Sequence, residues 1–419
     1  MTPAASNSTQ LLSGRQLAEI ASEFGTPVWV YDAALIRRQV ERLRAFDVIR
    51  YAQKANSNTN LLRLLRGAGV LVDAVSLGEL ERALVAGYDP SGEPSPIVYT
   101  ADVLDRAALR RVVELGVPLN AGSPHMLEQI GRESSGHPVW LRVNPGFGHG
   151  HSRKTNTGGE HSKHGIWHRD LRAALDFVDA YDLDLVGMHM HIGSGVDYGH
   201  LERVCEAMLG QVRSIGRDIR AISAGGGLSV PYAEGDAEVD VDKYFQLWDV
   251  ARQELERELG HPVRLEIEPG RFVVAQAGAL VTEVRAHKPV GANYFALVDA
   301  GFNDLMRPAM YGSAHRVSVF TPDGVRRDEY MRDTVFAGPL CESGDVFTQR
   351  PGGEVVAVPA PETRVGDLAV FHDAGAYGAS MSSNYNSRPL IAEVMVEGGT
   401  VTQIRRRQSI DELLALEQF

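Results

Sequence analysis

The chain has 419 residues, of which 44% are hydrophobic and 23% charged, so it is long enough for two domains and has the composition of an ordinary globular protein. Its formal net charge of −12 argues against binding to nucleic acid or to anionic membranes. Two cysteines exclude a disulfide framework, and the sequence shows neither a secretory signal nor an apolar run of about 20 residues. We therefore expect a cytoplasmic protein.

From about residue 46 onward, short apolar strands that end in Gly, Asn, Ser or Asp alternate with amphipathic helical stretches. Strands that alternate with helices usually pair in parallel. Eight such units match a (β/α)8 TIM-type barrel, with a doubly wound open sheet as the alternative. The predicted strands are Phe46–Lys54, Val70–Ser76, Ile97–Ala101, Val117–Ser123, Val139–Gly146, Leu185–Gly193, Ile219–Gly227 and Val263–Gly270.

The pattern changes after about residue 291, where apolar runs become short and are separated by Gly- and Pro-rich turns. This pattern predicts a C-terminal antiparallel β domain. An early strand, Pro27–Tyr31, precedes the barrel and could pair with that domain. We expect residues 1–31 to contribute to the β domain, 32–285 to form the barrel and 286–419 to form the β domain. Its predicted strands are Tyr294–Val298, Val317–Phe320, Thr334–Ala337, Glu354–Val358, Leu368–His372 and Ile391–Val396.

Polar residues collect where the predicted barrel strands end, although the strand interiors are apolar. In this fold the carboxyl ends of the strands carry the chemistry, so the pattern predicts an active site there. The strand-end residues are Lys54, Asp73, Ser76, Asn120, Ser123, Arg142, Asn144, His189, His191, Gly225–Gly227 and Glu268–Arg271.

A run of three glycines, Gly225–Gly227, ends the seventh predicted strand, and Glu268-Pro269-Gly270-Arg271 ends the eighth. Glycines let a backbone approach a ligand closely, and consecutive N–H groups can bind an anion. A glycine triplet alone is more often a flexible turn. The loops after strands seven and eight, however, often bind phosphate in this fold, so the position favours a phosphate site.

His189 and His191 alternate on the sixth predicted strand and therefore face the same side. A metal pair is one interpretation, but the strand ends lack the set of carboxylates that a divalent metal would need. We predict no metal, a packed His189 and a His191 that contacts a ligand. Lys54, the glycine run and Glu268 could supply the amine, the phosphate site and the acidic ring partner that pyridoxal 5'-phosphate requires.

The chain resembles the diaminopimelate decarboxylase family, whose members are fold-type III, pyridoxal-phosphate-dependent decarboxylases with an alanine-racemase-like barrel and a β domain. The resemblance runs from about Val28 to the C-terminus. Its motifs are YAQKANSN, HMHIGSG, GGGLSVPY, EPGR, GPLCESGDVF and GAYGASMSSNYNSRP.

The resemblance implies roles for individual residues of this chain. Lys54 falls on the Schiff-base lysine, His191 on the histidine that stacks on the cofactor ring, and Glu268 on the partner of the pyridine nitrogen. Cys341 falls on the residue that protonates the carbon after decarboxylation. The other implied cofactor residues are Asp73, Ser194, Gly227, Gly270, Arg271 and Tyr377.

The implied reaction is removal of carbon dioxide from meso-2,6-diaminopimelate at its D centre, which gives L-lysine in the last step of lysine biosynthesis. The implied assembly is a head-to-tail homodimer in which Cys341 and Glu342 come from the partner subunit. Glu342 would bind the distal ammonium. The residues implied in substrate binding are Arg271, Arg307, Tyr311, Glu342 and Tyr377.

Two alternatives use the same scaffold. One is a decarboxylase of ornithine or arginine, and the other is a non-catalytic pyridoxal-phosphate-binding protein, which would lack a β domain with a Cys-Glu pair. The loop 148–165 differs from the family pattern, and the sequence does not assign it a role.

Overall fold

The computed structural model describes residues 12–148, 157–191, 193, 197–233 and 235–417. These residues form two compact units, each built on its own sheet. The barrel unit contains residues 37–230 and 237–272, and the β unit contains the described part of 1–36, 231–236 and 273–419. Within the described residues, no helix combines the length and the apolar character that a membrane crossing needs.

The helices of the described chain are α1 (Gly14–Phe24), α2 (Ala33–Glu41), α3 (Thr59–Gly67), α4 (Leu77–Val85), α5 (Arg106–Leu115), α6 (Pro124–Glu133), α7 (Leu171–Ala180), α8 (Tyr198–Ile215), α9 (Val241–Leu259), α10 (Arg271–Val274), α11 (Arg307–Tyr311) and α12 (Ile410–Leu414).

The strands of the described chain are β1 (Val28–Asp32), β2 (Val48–Ala52), β3 (Leu71–Ala74), β4 (Ile97–Ala101), β5 (Leu119–Ala121), β6 (Pro138–Asn144), β7 (Ile166–Trp167), β8 (Asp184–His189), β9 (Ala221–Ser223), β10 (Arg264–Ile267), β11 (Gly278–Val290), β12 (Asn293–Val298), β13 (Val317–Phe320), β14 (Met331–Ala337), β15 (Val358–Pro361), β16 (Leu368–Phe371), β17 (Ala392–Glu397) and β18 (Thr400–Arg405).

Eight parallel strands of the barrel unit close into a ring in the order β2-β3-β4-β5-β6-β8-β9-β10, and β10 pairs with β2. The predicted barrel is therefore confirmed, and each of the eight predicted strands overlaps one of these strands. Every residue of β2 is buried, which explains its nearly unbroken apolar sequence.

Short polar side chains end the loops that lead from strand to helix. Asn58, Ser76 and Asp105 accept hydrogen bonds from first-turn N–H groups of α3, α4 and α5. These caps fix where each helix begins. They therefore also fix the backbone of the loops that follow the carboxyl ends of β2, β3 and β4. This is the edge at which the predicted functional residues lie.

The β unit is built on a second sheet with the strand order β15-β14-β12-β11-β1-β17-β18, with β16 and β13 added beside β11. Its core includes Trp29, Tyr31, Phe336 and Phe371, all at most 1% exposed. The early strand, β1, pairs with β11 and β17 of this sheet.

Three details of the predicted β domain differ in the structure. The sheet is mixed rather than wholly antiparallel, because β1 pairs in parallel with β17 and β12 with β14. The strand predicted over Glu354–Val358 was misplaced, since the structure has β15 over Val358–Pro361. The predicted boundary at residue 285 lies inside β11.

Candidate active site

Lys54 lies immediately after the carboxyl end of β2, in a single 3-10 turn over Gln53–Ala55. Both neighbours in this turn are buried, whereas the Lys54 side chain is exposed. The Ala52 N–H donates to the Pro269 carbonyl over 3.1 Å, which joins this turn to the Glu-Pro-Gly-Arg segment. The amine therefore projects from a fixed backbone beside the end of β10.

Asp73, near the carboxyl end of β3, is 3% exposed and is the acidic neighbour of Lys54. Burial and the charge of Glu268 raise the pKa of Asp73 to about 7, although the Lys54 charge and a hydrogen bond with Thr100 act in the opposite direction. This carboxyl group can thus hold a proton near neutral pH, close to the amine.

Glu268 lies just beyond the end of β10 and is 8% exposed. Its Oε2 is 2.8 Å from His189 Nε2, and its Oε1 accepts from the Ser223 hydroxyl over 3.0 Å. Although burial opposes ionisation, the His189 charge and these hydrogen bonds lower the pKa of Glu268 to about 2. Glu268 is therefore a fixed anion inside the barrel.

His189 is buried, as predicted, but it is also the hydrogen-bond partner of Glu268. Neither this contact nor that of Ser223 was expected from the sequence, because the partners come from three different strand ends. The sequence signal was that His189 and Glu268 occur at predicted strand ends, whereas Ser223 lies inside the predicted strand Ile219–Gly227. Among the described residues, no group of three His, Cys, Asp or Glu side chains is placed to hold a metal ion.

His191 lies against the glycine run. A Cβ atom on Gly227 would come within 3.5 Å of His191 Cε1, and a Cβ atom on Gly225 within 2.7 Å of His191 Cβ. Burial and the charges of Lys54 and Arg142 hold the pKa of His191 well below its usual value, so the imidazole is neutral. A neutral, flat ring at this point could stack on an aromatic ligand.

The glycine run is packed too closely for any side chain. A Cβ atom on Gly226 would be 2.4 Å from the Glu268 carbonyl oxygen, and one on Gly227 would be 2.3 Å from the Gly193 carbonyl oxygen. The Gly225 N–H donates to the Ser223 hydroxyl, which in turn donates to the Glu268 carboxylate. The Glu268 N–H donates to the Gly225 carbonyl, so two links join the run to Glu268. Gly270, in the next loop, lies against Ala52 and Ala55, beside Lys54.

Two further residues, Arg271 and Ser194, are predicted to bind the cofactor. Arg271 is partly buried and begins α10. Ser194 lies outside the described residues.

In the β unit, Arg307 begins α11 and is 4% exposed. Its Nη1 is 3.0 Å from His315 Nε2, and its guanidinium carbon lies 4.4 Å from the ring centre of Tyr232. Arg307 is therefore a buried cation rather than a member of a surface ion pair. Tyr311, at the end of the same helix, is partly exposed.

Cys341 and Glu342 lie in an exposed turn of the β unit. The buried Asp345 shapes this turn, because its carboxylate accepts from the N–H groups of Phe302 and Leu340 over 2.7 and 2.8 Å. The Cys341 N–H donates to Asn386 over 2.8 Å. Tyr377 has a backbone φ of 56°, an unusual conformation for a residue other than glycine.

The barrel and the groups at its mouth define the class of fold-type III enzymes that use pyridoxal 5'-phosphate. The profile of the family "Pyridoxal-dependent decarboxylase, pyridoxal binding domain" matches residues 33–275. A diaminopimelate decarboxylase of Streptomyces coelicolor is 71% identical over 97% of this chain and 92% of its own length. The chain belongs to the diaminopimelate decarboxylase family, so the predicted relationship is confirmed.

Solved structures agree with this assignment. A crystal structure of diaminopimelate decarboxylase is 61% identical, covers 99% of both chains and superimposes with a TM-score of 0.95. The Helicobacter pylori diaminopimelate decarboxylase, solved in complex with L-lysine, is 30% identical, covers 95% of this chain and 98% of its own, and has a TM-score of 0.85. These superpositions also confirm the predicted fold class.

The cofactor is pyridoxal 5'-phosphate, as predicted, and the described residues fit its chemistry. An exposed amine lies beside Gly270, and the glycine run offers backbone that no side chain could cover. A buried carboxylate that stays ionised suits a protonated pyridine nitrogen. The roles of the individual residues stay predictions.

Proposed function

We propose that this chain removes carbon dioxide from meso-2,6-diaminopimelate at its D centre and gives L-lysine, the last step of lysine biosynthesis. The observation that carries the proposal is the buried, ionised Glu268, held by His189 and Ser223 at the same barrel mouth as Lys54. The likeness to diaminopimelate decarboxylases over almost the full chain supports this substrate rather than another amino acid.

Within the barrel, we propose that Lys54 links the cofactor covalently, and that the backbone of Gly227, Gly270 and Arg271, together with Ser194, binds its phosphate. When bound, pyridoxal phosphate accepts the electron pair that the departing carbon dioxide leaves behind. Glu268 would keep a proton on the pyridine nitrogen, and the His191 ring would stack on the cofactor. Asp73, which can hold a proton near neutral pH, is the polar neighbour of the Lys54 amine.

The distal end of the substrate carries a second carboxylate and a second ammonium group. We propose that Arg307, Tyr311 and Arg271 bind this carboxylate, that Glu342 binds the ammonium, and that Tyr377 contacts both cofactor and substrate. Arginine suits the task because its planar guanidinium meets a carboxylate through two parallel hydrogen bonds. Burial of Arg307 between Tyr232 and His315 supports a fixed orientation.

The remaining step is protonation of the carbon that has lost carbon dioxide. We propose that the Cys341 thiol gives this proton and that Cys341 and Glu342 act in the site of a partner subunit, within a homodimer. The exposure of both side chains on the single chain supports this arrangement. A working thiol must also stay reduced, which supports a cytoplasmic location.

Side-by-side assays of carbon dioxide release test the proposed substrate. We expect turnover of meso-diaminopimelate and little turnover of ornithine or arginine, because a distal site built for a carboxylate is left unsatisfied by substrates that lack one. The L,L isomer of diaminopimelate, which has no D centre, is the matched control and should not react. Faster release from ornithine or arginine would refute the proposal, and no release from any substrate would favour a non-catalytic binding protein.

A further inference from the structure

A loop segment, Thr157–Gly165, lies between β6 and β7 in the barrel unit and has no role in the proposed mechanism. The side chain of Asn144, which lies at the end of β6 and is 3% exposed, forms hydrogen bonds with the backbone of this segment. Its Oδ1 accepts from the Gly159 N–H over 2.9 Å, and its Nδ2 donates to the carbonyls of Gly159 and His164, each over 3.2 Å. The backbone of the segment is therefore fixed at two points.

A second anchor comes from Asp102, which follows β4. Its carboxylate bonds His164 Nδ1 and accepts from the Gly165 N–H over 3.3 Å. Although burial opposes ionisation, the hydrogen bond with His164 and the Arg142 charge lower the pKa of Asp102. An ionised carboxylate forms stronger hydrogen bonds than a neutral one, so this end of the segment is held firmly.

The other end of the segment reaches His191. The Thr157 hydroxyl donates to the His191 carbonyl over 2.8 Å. His191 lies beyond the last residue of β8, where the strand no longer supplies ladder partners for backbone groups. The hydroxyl thus supplies a partner for the backbone carbonyl of His191, and the side chain of His191 lies against the glycine run.

We propose that Thr157 is a positioning residue for the His191 ring, and that Asn144 and the Asp102–His164 pair hold Thr157 in place. The proposal rests on the proposed function in that His191 is taken to contact the cofactor. Loss of the hydroxyl would free the His191 backbone and let the ring move away from its place over the cofactor. Small displacements of such groups are costly, because binding and catalysis depend on fixed geometry.

The test compares Thr157→Val, which removes the hydroxyl at nearly constant shape, with Thr157→Ser, which keeps it. We expect Thr157→Val to raise the dissociation constant for pyridoxal phosphate by about three- to tenfold, the effect of one hydrogen bond, and to weaken the visible circular dichroism of the bound cofactor. Thr157→Ser should restore both signals. His161→Ala, an exposed histidine of the same segment, is the matched control and should leave both unchanged.

A double-mutant cycle shows whether Thr157 acts through His191. In a His191→Ala background, Thr157→Val should change cofactor affinity by much less than it does in the wild type. Equal effects in both backgrounds, or a Thr157→Val protein with wild-type affinity and dichroism, would overturn the positioning role alone. A wild-type protein that fails to bind pyridoxal phosphate would overturn the proposed function as well, so the two failures are distinguishable.

Discussion

Asp73 and Glu268 are two carboxyl groups buried at one barrel mouth, yet their pKa values shift in opposite directions. Burial and the Glu268 charge oppose the ionisation of Asp73, so its pKa rises to about 7. Glu268 has His189 and Ser223 as hydrogen-bond partners, and its pKa falls to about 2. Separate proton affinities let neighbouring acids take different roles, here a proton holder and a permanent anion.

The raised pKa of Asp73 makes a prediction for the stability of the cofactor-free protein. Between its ordinary value of 3.8 and about 7, the unfolded chain has lost the Asp73 proton while the folded chain keeps it. This group therefore makes the folded state less stable as the pH rises through that range. Asp73→Asn removes the effect, so the variant should gain stability relative to the wild type with rising pH and level off above about pH 7.

Urea unfolding of both apoproteins across this range measures the difference in free energy. Ser214→Ala, at an exposed position in α8, exchanges no ionisable group and is the control, so its difference from the wild type should not change with pH. A constant difference for Asp73→Asn, or one that shrinks with rising pH, would contradict the shift of the pKa of Asp73.

Lys54 gives the second prediction at this scale. Lys54→Ala should fold normally, because the side chain is exposed and its removal leaves no cavity in the core. Turnover should fall by at least about a hundredfold, and the visible absorbance of a covalently linked cofactor should be absent. Lys288→Ala, at an exposed position in β11, should behave as the wild type does. Normal turnover in Lys54→Ala would exclude the proposed role of this amine.

At the scale of elements, the glycine run between β9 and α9 has no room for a side chain. Gly226→Ala would place a methyl group 2.4 Å from the Glu268 carbonyl oxygen, so the backbone would have to shift. We expect cofactor affinity to fall by as much as about a hundredfold, the cost of a displacement near 1 Å at a positioned site. Equilibrium titration with pyridoxal phosphate measures the loss.

Gly210 provides the control for that substitution. It lies in α8, and a Cβ atom there would meet nothing within 4 Å. Because glycine weakens a helix interior, Gly210→Ala should stabilise the protein by about 0.5–1 kcal/mol and leave cofactor binding unchanged. If Gly226→Ala also left binding unchanged, the glycine run would not be the phosphate site.

The elements that could be predicted from sequence were those whose burial shows in their composition. Barrel strands such as β4 are buried along almost their whole length and read as apolar runs between turn residues. The second half of β11, with Arg285, His287 and Lys288, is largely exposed and gives no such signal. β18 is likewise mostly exposed and was not predicted, and β11 was not predicted although its first half is buried.

The candidate site also has features that could be predicted from sequence and features that could not. Its strand-end residues could be predicted because a parallel barrel brings all carboxyl ends to one edge. The contacts of Glu268 with His189 and of Thr157 with His191 could not, since they join residues 79 and 34 positions apart. Such contacts depend on side-chain geometry, which periodicity does not contain.

At the scale of the whole molecule, the assembly decides where Cys341 acts. A proton donor that served its own chain would need only one subunit, whereas the proposed homodimer needs Cys341 from one chain and Lys54 from the other. In a two-fold symmetric dimer both sites are equivalent, so each site takes one group from each chain.

A mixture of two inactive variants separates these possibilities. Lys54→Ala and Cys341→Ala should each lose activity in their own homodimers. When equal amounts of the two variants exchange subunits, half of all dimers are hybrids that contain one subunit of each variant. Each hybrid has one site in which both Lys54 and Cys341 are intact. The mixture should therefore recover about a quarter of wild-type turnover. If Lys54 and Cys341 acted within one chain, both sites of every hybrid would be defective, and hybrids purified by two different affinity tags would show no recovery.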